Sequence, residues 1–164
     1  MKKRFLKQVH SFYYAIRGLL SVLKTESHMR FHLVAGLYVV AFCSKFYELS
    51  ATKWCVLLFT ISLVFITEIL NTVLERVCDS ITKEYSKDIE FIKDVSAGAV
   101  LVGAVGSVII AFLLLFDIET FKNIFYHFTH NLVDLVFLIT GTVIAILFIG
   151  VKPESYLRIF KRKK

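Results

Sequence analysis

Hydrophobic and polar positions separate into long blocks along this chain. Residues 95–116 and 135–151 carry no charged side chain, and residues 54–67 carry none either, continuing as helix to Leu74 if Glu68 and Asn71 sit inside it. A helix that crosses a bilayer needs about 20 mostly apolar residues, so each block predicts a span. Residues 29–47 predict a further one, although their apolar centre at 33–43 is short and relies on Lys45 reaching back to the interface. Residues 5–23 follow another rule: Phe5, Val9, Phe12, Ile16, Leu19 and Leu23 recur at spacings of three and four, with Lys7, Gln8 and Arg17 elsewhere. That is a helix for the membrane surface, or one packed on protein; the pattern allows both. Because no compact apolar core with small residues follows the basic start, a cleavable signal is not expected. The expected fold is therefore an all-α integral membrane protein, with an N-terminal amphipathic surface helix and four transmembrane helices.

Composition agrees: 57% of the 164 residues are hydrophobic, 16 are Phe and a single one is Pro. Neither a disordered chain nor an ordinary soluble domain has that make-up. Charge then orients the spans. Lys2, Lys3, Arg4, Lys7, Arg17, Lys24 and Arg30 precede the first span, and Lys45 and Lys53 alone follow it. Arg76, Lys83, Lys87 and Lys93 lie between the second and third, Lys122 after the third, and six basic residues after Val151. Rich and poor segments alternate, which puts both termini and the 76–94 connection in the cytoplasm. The net charge of +7 is then topology and attraction to anionic headgroups, and no nucleic-acid partner is needed to explain it. Cys43, Cys55 and Cys78 lack the paired spacing of a disulfide framework or zinc knuckle.

One block breaks its own rule. At about 100° per residue, Glu68, Asn71, Glu75 and Asp79 fall within one stripe of the second span. A lone carboxylate in lipid costs a few kcal/mol, so such residues pair, bind an ion or face a polar cavity. The stripe runs from membrane depth into the cytoplasm, the compartment of ATP and Mg²⁺. Glu26, just before the first span, can meet it, and Lys93 and Asp94 stand at the mouth of the third span. Behind them Ser96, Ala97, Gly98, Ala99, Gly103, Ala104 and Gly106 would let helices approach closely. Carboxylates for Mg²⁺ and a lysine for phosphate are what phosphoryl transfer requires. No GxxxxGK[ST] or kinase glycine-rich loop is present. A proton or cation pathway, and a purely structural role, fit the same stripe. His28 and His32, four apart, could hold zinc, but no third ligand beyond Glu26 is evident.

The segments "YAIRGL", "KTESHMRFHL", "TEILNTVLERVCD" and "IKDVSAGAVL" resemble, in order, the signature blocks of the prokaryotic diacylglycerol kinase and undecaprenol kinase family, over residues 12–116. The resemblance implies a homotrimer of three-span protomers behind a surface helix, in the bacterial plasma membrane. Its cytoplasmic active site would pass the γ-phosphate of ATP to a membrane lipid hydroxyl. Carried over, Glu68 matches the general base, and Glu26 and Glu75 match the ligands of the Mg²⁺ that bridges ATP. Asn71, Asp79, Lys93 and Asp94 match residues lining the nucleotide and phosphate site; Tyr14 and the Glu84–Tyr85 pair match nucleotide contacts. His32, with "MRFHL" and "KDVSAGAV", resembles the undecaprenol branch more than the diacylglycerol branch. The chain would divide into a surface helix (1–28), a three-helix kinase core (29–117) and an added span with a basic tail (118–164). That last part, opening with "DIETFKNIFYHFTH", lies outside the resemblance.

Overall fold

The computed structural model describes residues 2–82 and 84–150, with side chains from residue 8 onward. The basic positions at 83 and 152–164, and the side chains of residues 2–7, lie outside the described residues. The described chain forms six helices: α1 (Lys2–Thr25), α2 (Ser27–Phe46), α3 (Ala51–Ile81), α4 (Lys87–Leu115), α5 (Ile118–His130) and α6 (Leu132–Gly150). Four of them, α2, α3, α4 and α6, are long and apolar enough to cross a membrane, as the blocks predict. The fold is all-α and built for a bilayer.

The structure adds detail at two places. Before the last span, the segment after residue 116 forms a helix of its own, α5. Its Asp117 caps the first turn by accepting from the Thr120 amide at 3.0 Å, and Ile118, Phe121, Phe125 and Phe128 recur at helical spacing. The small residues of α4 also do not all serve packing within the chain. A Cβ on Gly103 would lie 3.2 Å from Thr67 Oγ1, so α3 and α4 meet closely there, whereas Gly98 and Gly106 face open space. On the other side of α3, a Cβ on Gly36 would lie 3.2 Å from Ile61 Cγ2, which marks the close approach of α2.

What is buried inverts the soluble pattern. Arg30, Thr60, Glu68, Thr72 and Ser96 are buried beside Val22, Met29, Cys43, Leu57, Val64 and Cys78, while large apolar side chains such as Phe59, Val102, Leu113 and Phe137 point outward. Lipid can cover apolar side chains but cannot satisfy polar ones, so the polar groups turn inward to find partners.

The added helix α6 lies antiparallel along α2. Asp134 accepts from Lys45 at 2.5 Å and contacts His127 Nε2 at 2.6 Å; midway, the Tyr38 and Thr142 hydroxyls are 3.0 Å apart. At the other end the buried Arg30 guanidinium donates to Ile149 O from Nη2 at 2.9 Å and from Nε at 3.3 Å. It also donates from Nη1 to Leu23 O at 2.9 Å and to Lys24 O at 3.4 Å. One side chain thus ties the ends of α1 and α6 to the start of α2.

Candidate active site between α3 and α4

The stripe foreseen on one helix face descends α3 from a buried to a watery end. Glu68 is 5% exposed, Asn71 and Glu75 are half-buried, and Asp79 is exposed. Each member has a partner fixed by a neighbouring turn or helix. Glu68 Oε1 lies 3.2 Å from Nε2 of His32 on α2. Asn71 donates from Nδ2 to Glu75 Oε1 at 3.0 Å, one turn on, and its Oδ1 accepts from Ser96 Oγ of α4 at 2.6 Å. Asp79 Oδ1 accepts from Lys93 Nζ at 2.6 Å. These bonds join α3 to α4 where both helices run past the apolar blocks. Here α3 runs to Ile81 and α4 starts at Lys87, so the link between them is short.

Glu26 occupies the N-cap of α2, yet its side chain makes no capping bond. An acidic N-cap ordinarily accepts from the first-turn amides; here the carboxylate makes no such bond. The neighbouring residues show what lies near it. Arg76 Nη2 donates to Thr25 Oγ1 at 2.8 Å, and these two residues directly follow Glu75 and precede Glu26. The α1–α2 junction is therefore held against the α3 turn that carries Glu75. Two carboxylates with hard oxygen donors suit Mg²⁺, which commonly takes one or two protein carboxylates and completes its shell with substrate phosphates and water. Among the described residues no three His, Cys, Asp or Glu side chains cluster. The zinc reading finds no cage: His28 is exposed and His32 is engaged with Glu68.

Other expected residues are not drawn into this network by any described hydrogen bond. Tyr14 lies exposed on α1, edge-on to Tyr13 and His10. Asp94 is exposed beside Lys93. Glu84 sits in the α3–α4 turn, where its amide donates to Thr82 Oγ1 at 3.0 Å. Its neighbour Tyr85 donates to Glu90 at 2.6 Å, a bond that lifts the phenol pKa above its usual value. Conversely, the structure adds His32 and Ser96 to the site. Ser96 stands one helical turn after Lys93, which places it on the same face of α4, a signal available in the spacing.

Residues 13–115 match the family model described as prokaryotic diacylglycerol kinase. The chain belongs to this family. The undecaprenol kinase of Bacillus subtilis is 38% identical over 111 residues, covering 68% of this chain and 87% of that protein. The diacylglycerol kinase of Synechocystis sp. is 38% identical over 106 residues, which is 64% of this chain and 60% of that protein. The chain is accordingly a membrane lipid kinase of the prokaryotic diacylglycerol kinase family, and the ion-conducting reading of the stripe has no observation left that calls for it. The family match ends where α4 ends, so α5 and α6 stand outside it.

Proposed function

We propose that this kinase transfers the γ-phosphate of ATP to the hydroxyl of undecaprenol, in an Mg²⁺-dependent reaction on the cytoplasmic face of a bacterial membrane. The observation that carries this reading is the stripe itself, a line of paired polar groups leading from buried Glu68 to exposed Asp79 and its half-buried partner Lys93. Such a line spans the depth between a lipid hydroxyl and a soluble nucleotide. Glu68 is the final acceptor of the hydroxyl proton, the role of a general base that a carboxylate can fill. Asn71, fixed from both sides by Glu75 and Ser96, presents an oriented amide to the phosphates. Lys93, Asp79 and Asp94 line the nucleotide end, with Tyr14 and Glu84 as outer contacts. Mg²⁺ held by Glu26, Glu75 and the ATP phosphate oxygens would neutralise charge on the transferring group.

A homotrimer is part of the proposal, in keeping with the outward-facing Gly98 and Gly106 of α4. So is the orientation with both termini in the cytoplasm, which the alternation of Lys and Arg supports. Diacylglycerol is the second candidate acceptor. Undecaprenol is favoured because the match covers nearly the whole of the relative named for it and because His32 stands at Glu68.

The test is Glu68→Gln in the purified full-length protein. Loss of general-base help should lower turnover by about 10²–10⁴-fold, with ATP binding kept. More than half of the wild-type rate would show that Glu68 does not take the proton.

A further inference from the structure

A groove of about 300 Å³ runs between α2, α3 and α4, walled by side chains that include Phe31, Ala35, Val64 and Phe65. The protons of its two hydroxyl-bearing residues are already engaged: Thr60 donates to Val56 O at 2.7 Å and Ser107 to Ala104 O at 2.7 Å, each within its own helix. Among the described residues lining it, His32 is the one ionisable side chain, and Glu68 is not part of the wall. Yet His32 Nε2 lies 3.2 Å from Glu68 Oε1. The imidazole, 18% exposed, therefore stands between an apolar groove and a carboxylate that is 6% exposed. An apolar channel within the membrane-spanning helices, with its single titratable group next to a buried base, suits the tail of a lipid alcohol whose hydroxyl ends at that group.

We propose that His32 is a catalytic residue, the group that touches the lipid hydroxyl and passes its proton to Glu68. The inference rests on the lipid-kinase reading above. In the proposed step the ring carries its proton on Nε2, which faces Glu68 Oε1 at 3.2 Å, and Nδ1 takes up the alcohol. As the alcohol oxygen forms its bond to the γ-phosphorus, the bond from that phosphorus to the β–γ bridging oxygen breaks and ADP leaves with the electron pair. The hydroxyl proton goes to Nδ1, the Nε2 proton moves to Glu68 Oε1, and one proton is later released to water. A carboxylate that holds an imidazole in one tautomer while the other nitrogen serves a hydroxyl is an arrangement that proteins use to activate weak nucleophiles. The alternative is that His32 only bonds α2 to α3.

His32→Gln separates the two, because the glutamine amide can still donate to Glu68 but cannot accept a proton. In full-length enzyme in detergent micelles, with labelled ATP and undecaprenol, kcat should fall by about 10²–10⁴-fold while KM for ATP stays within about twofold of wild type. His28→Gln, an exposed neighbour, should change neither. If His32→Gln retains kcat within about threefold, the proposal is overturned. A second measurement uses wild-type protein alone: carbethoxylation of His32, mapped by mass spectrometry, should be slowed by undecaprenol and not by ATP, and equal labelling with and without undecaprenol overturns the proposal. Wild-type protein that phosphorylates neither undecaprenol nor diacylglycerol would remove the kinase reading itself, a result distinct from an active enzyme indifferent to His32.

Discussion

Replacing Arg30 by Met tests whether the helix outside the family match has become part of the fold. Arg30 is 1% exposed and its acceptors are carbonyls at the last turns of α1 and α6. At α1 this is the negative end of the helix dipole, where a cation is favoured. Two of its bonds, to Leu23 O and Ile149 O, are 2.9 Å long, and bonds from a charged donor contribute about 1.5–3 kcal/mol each. The two together amount to about 3–6 kcal/mol. Met fills much of the same volume without a donor, so little of the loss should come from a cavity. For a chain of this size about 2–4 °C accompanies each kcal/mol, so thermal unfolding of the full-length variant, followed by circular dichroism in micelles, should begin at least about 6 °C lower. Arg30→Lys should fall between, since an ammonium is a point donor and cannot fork between two helix ends. Unfolding of both variants within about 2 °C of wild type would mean that the clamp on α6 contributes nothing.

Glu26→Gln and Glu75→Gln should each weaken the dependence of the rate on Mg²⁺ and ATP, with partial rescue by excess Mg²⁺ or by Mn²⁺; unchanged metal titrations in both would place the metal elsewhere. The Thr120 hydroxyl and amide hold the Asp117 carboxyl below the usual carboxylate range, so the folded state favours its ionised form. Its support for the start of α5 should be complete above the ordinary carboxylate pKa of about 3.9 and fade as pH falls through the lowered value. Hydrogen exchange at Thr120, corrected for intrinsic rates, would show this; protection that does not change on acidification would contradict it.

The spans were legible because lipid demands long uncharged runs, and no tertiary context is needed to see one. The stripe on α3 was legible for a related reason: Glu68, Asn71, Glu75 and Asp79 share one face of one helix, and carboxylates at that depth require an explanation. Helix α5 was missed although Asp117, Thr120 and the apolar positions 118, 121, 125 and 128 carry helical signals. At 13 residues it is too short to read as a span, and it lies between two stretches that dominate the hydropathy pattern. Partnerships between helices were out of reach. His32 and Glu68 belong to separate periodic segments, and nothing in either period points to the other. Arg30 meets a backbone carbonyl 119 positions away, and a backbone acceptor leaves no trace in side-chain chemistry. Arg30 read only as one more positive charge for topology; in the fold it ties the α1–α2 junction, and with it Glu26, to α6.

The central claim is phosphoryl transfer to a lipid alcohol, and direct product analysis tests it most plainly. Full-length protein is to be reconstituted in vesicles with γ-labelled ATP and Mg²⁺, and with undecaprenol and diacylglycerol supplied separately and in competition. The label should appear in an organic-extractable lipid phosphate, with undecaprenyl phosphate formed faster than phosphatidic acid and neither formed by Glu68→Gln. Label confined to ATP and free phosphate, with both alcohols unmodified, would contradict the account.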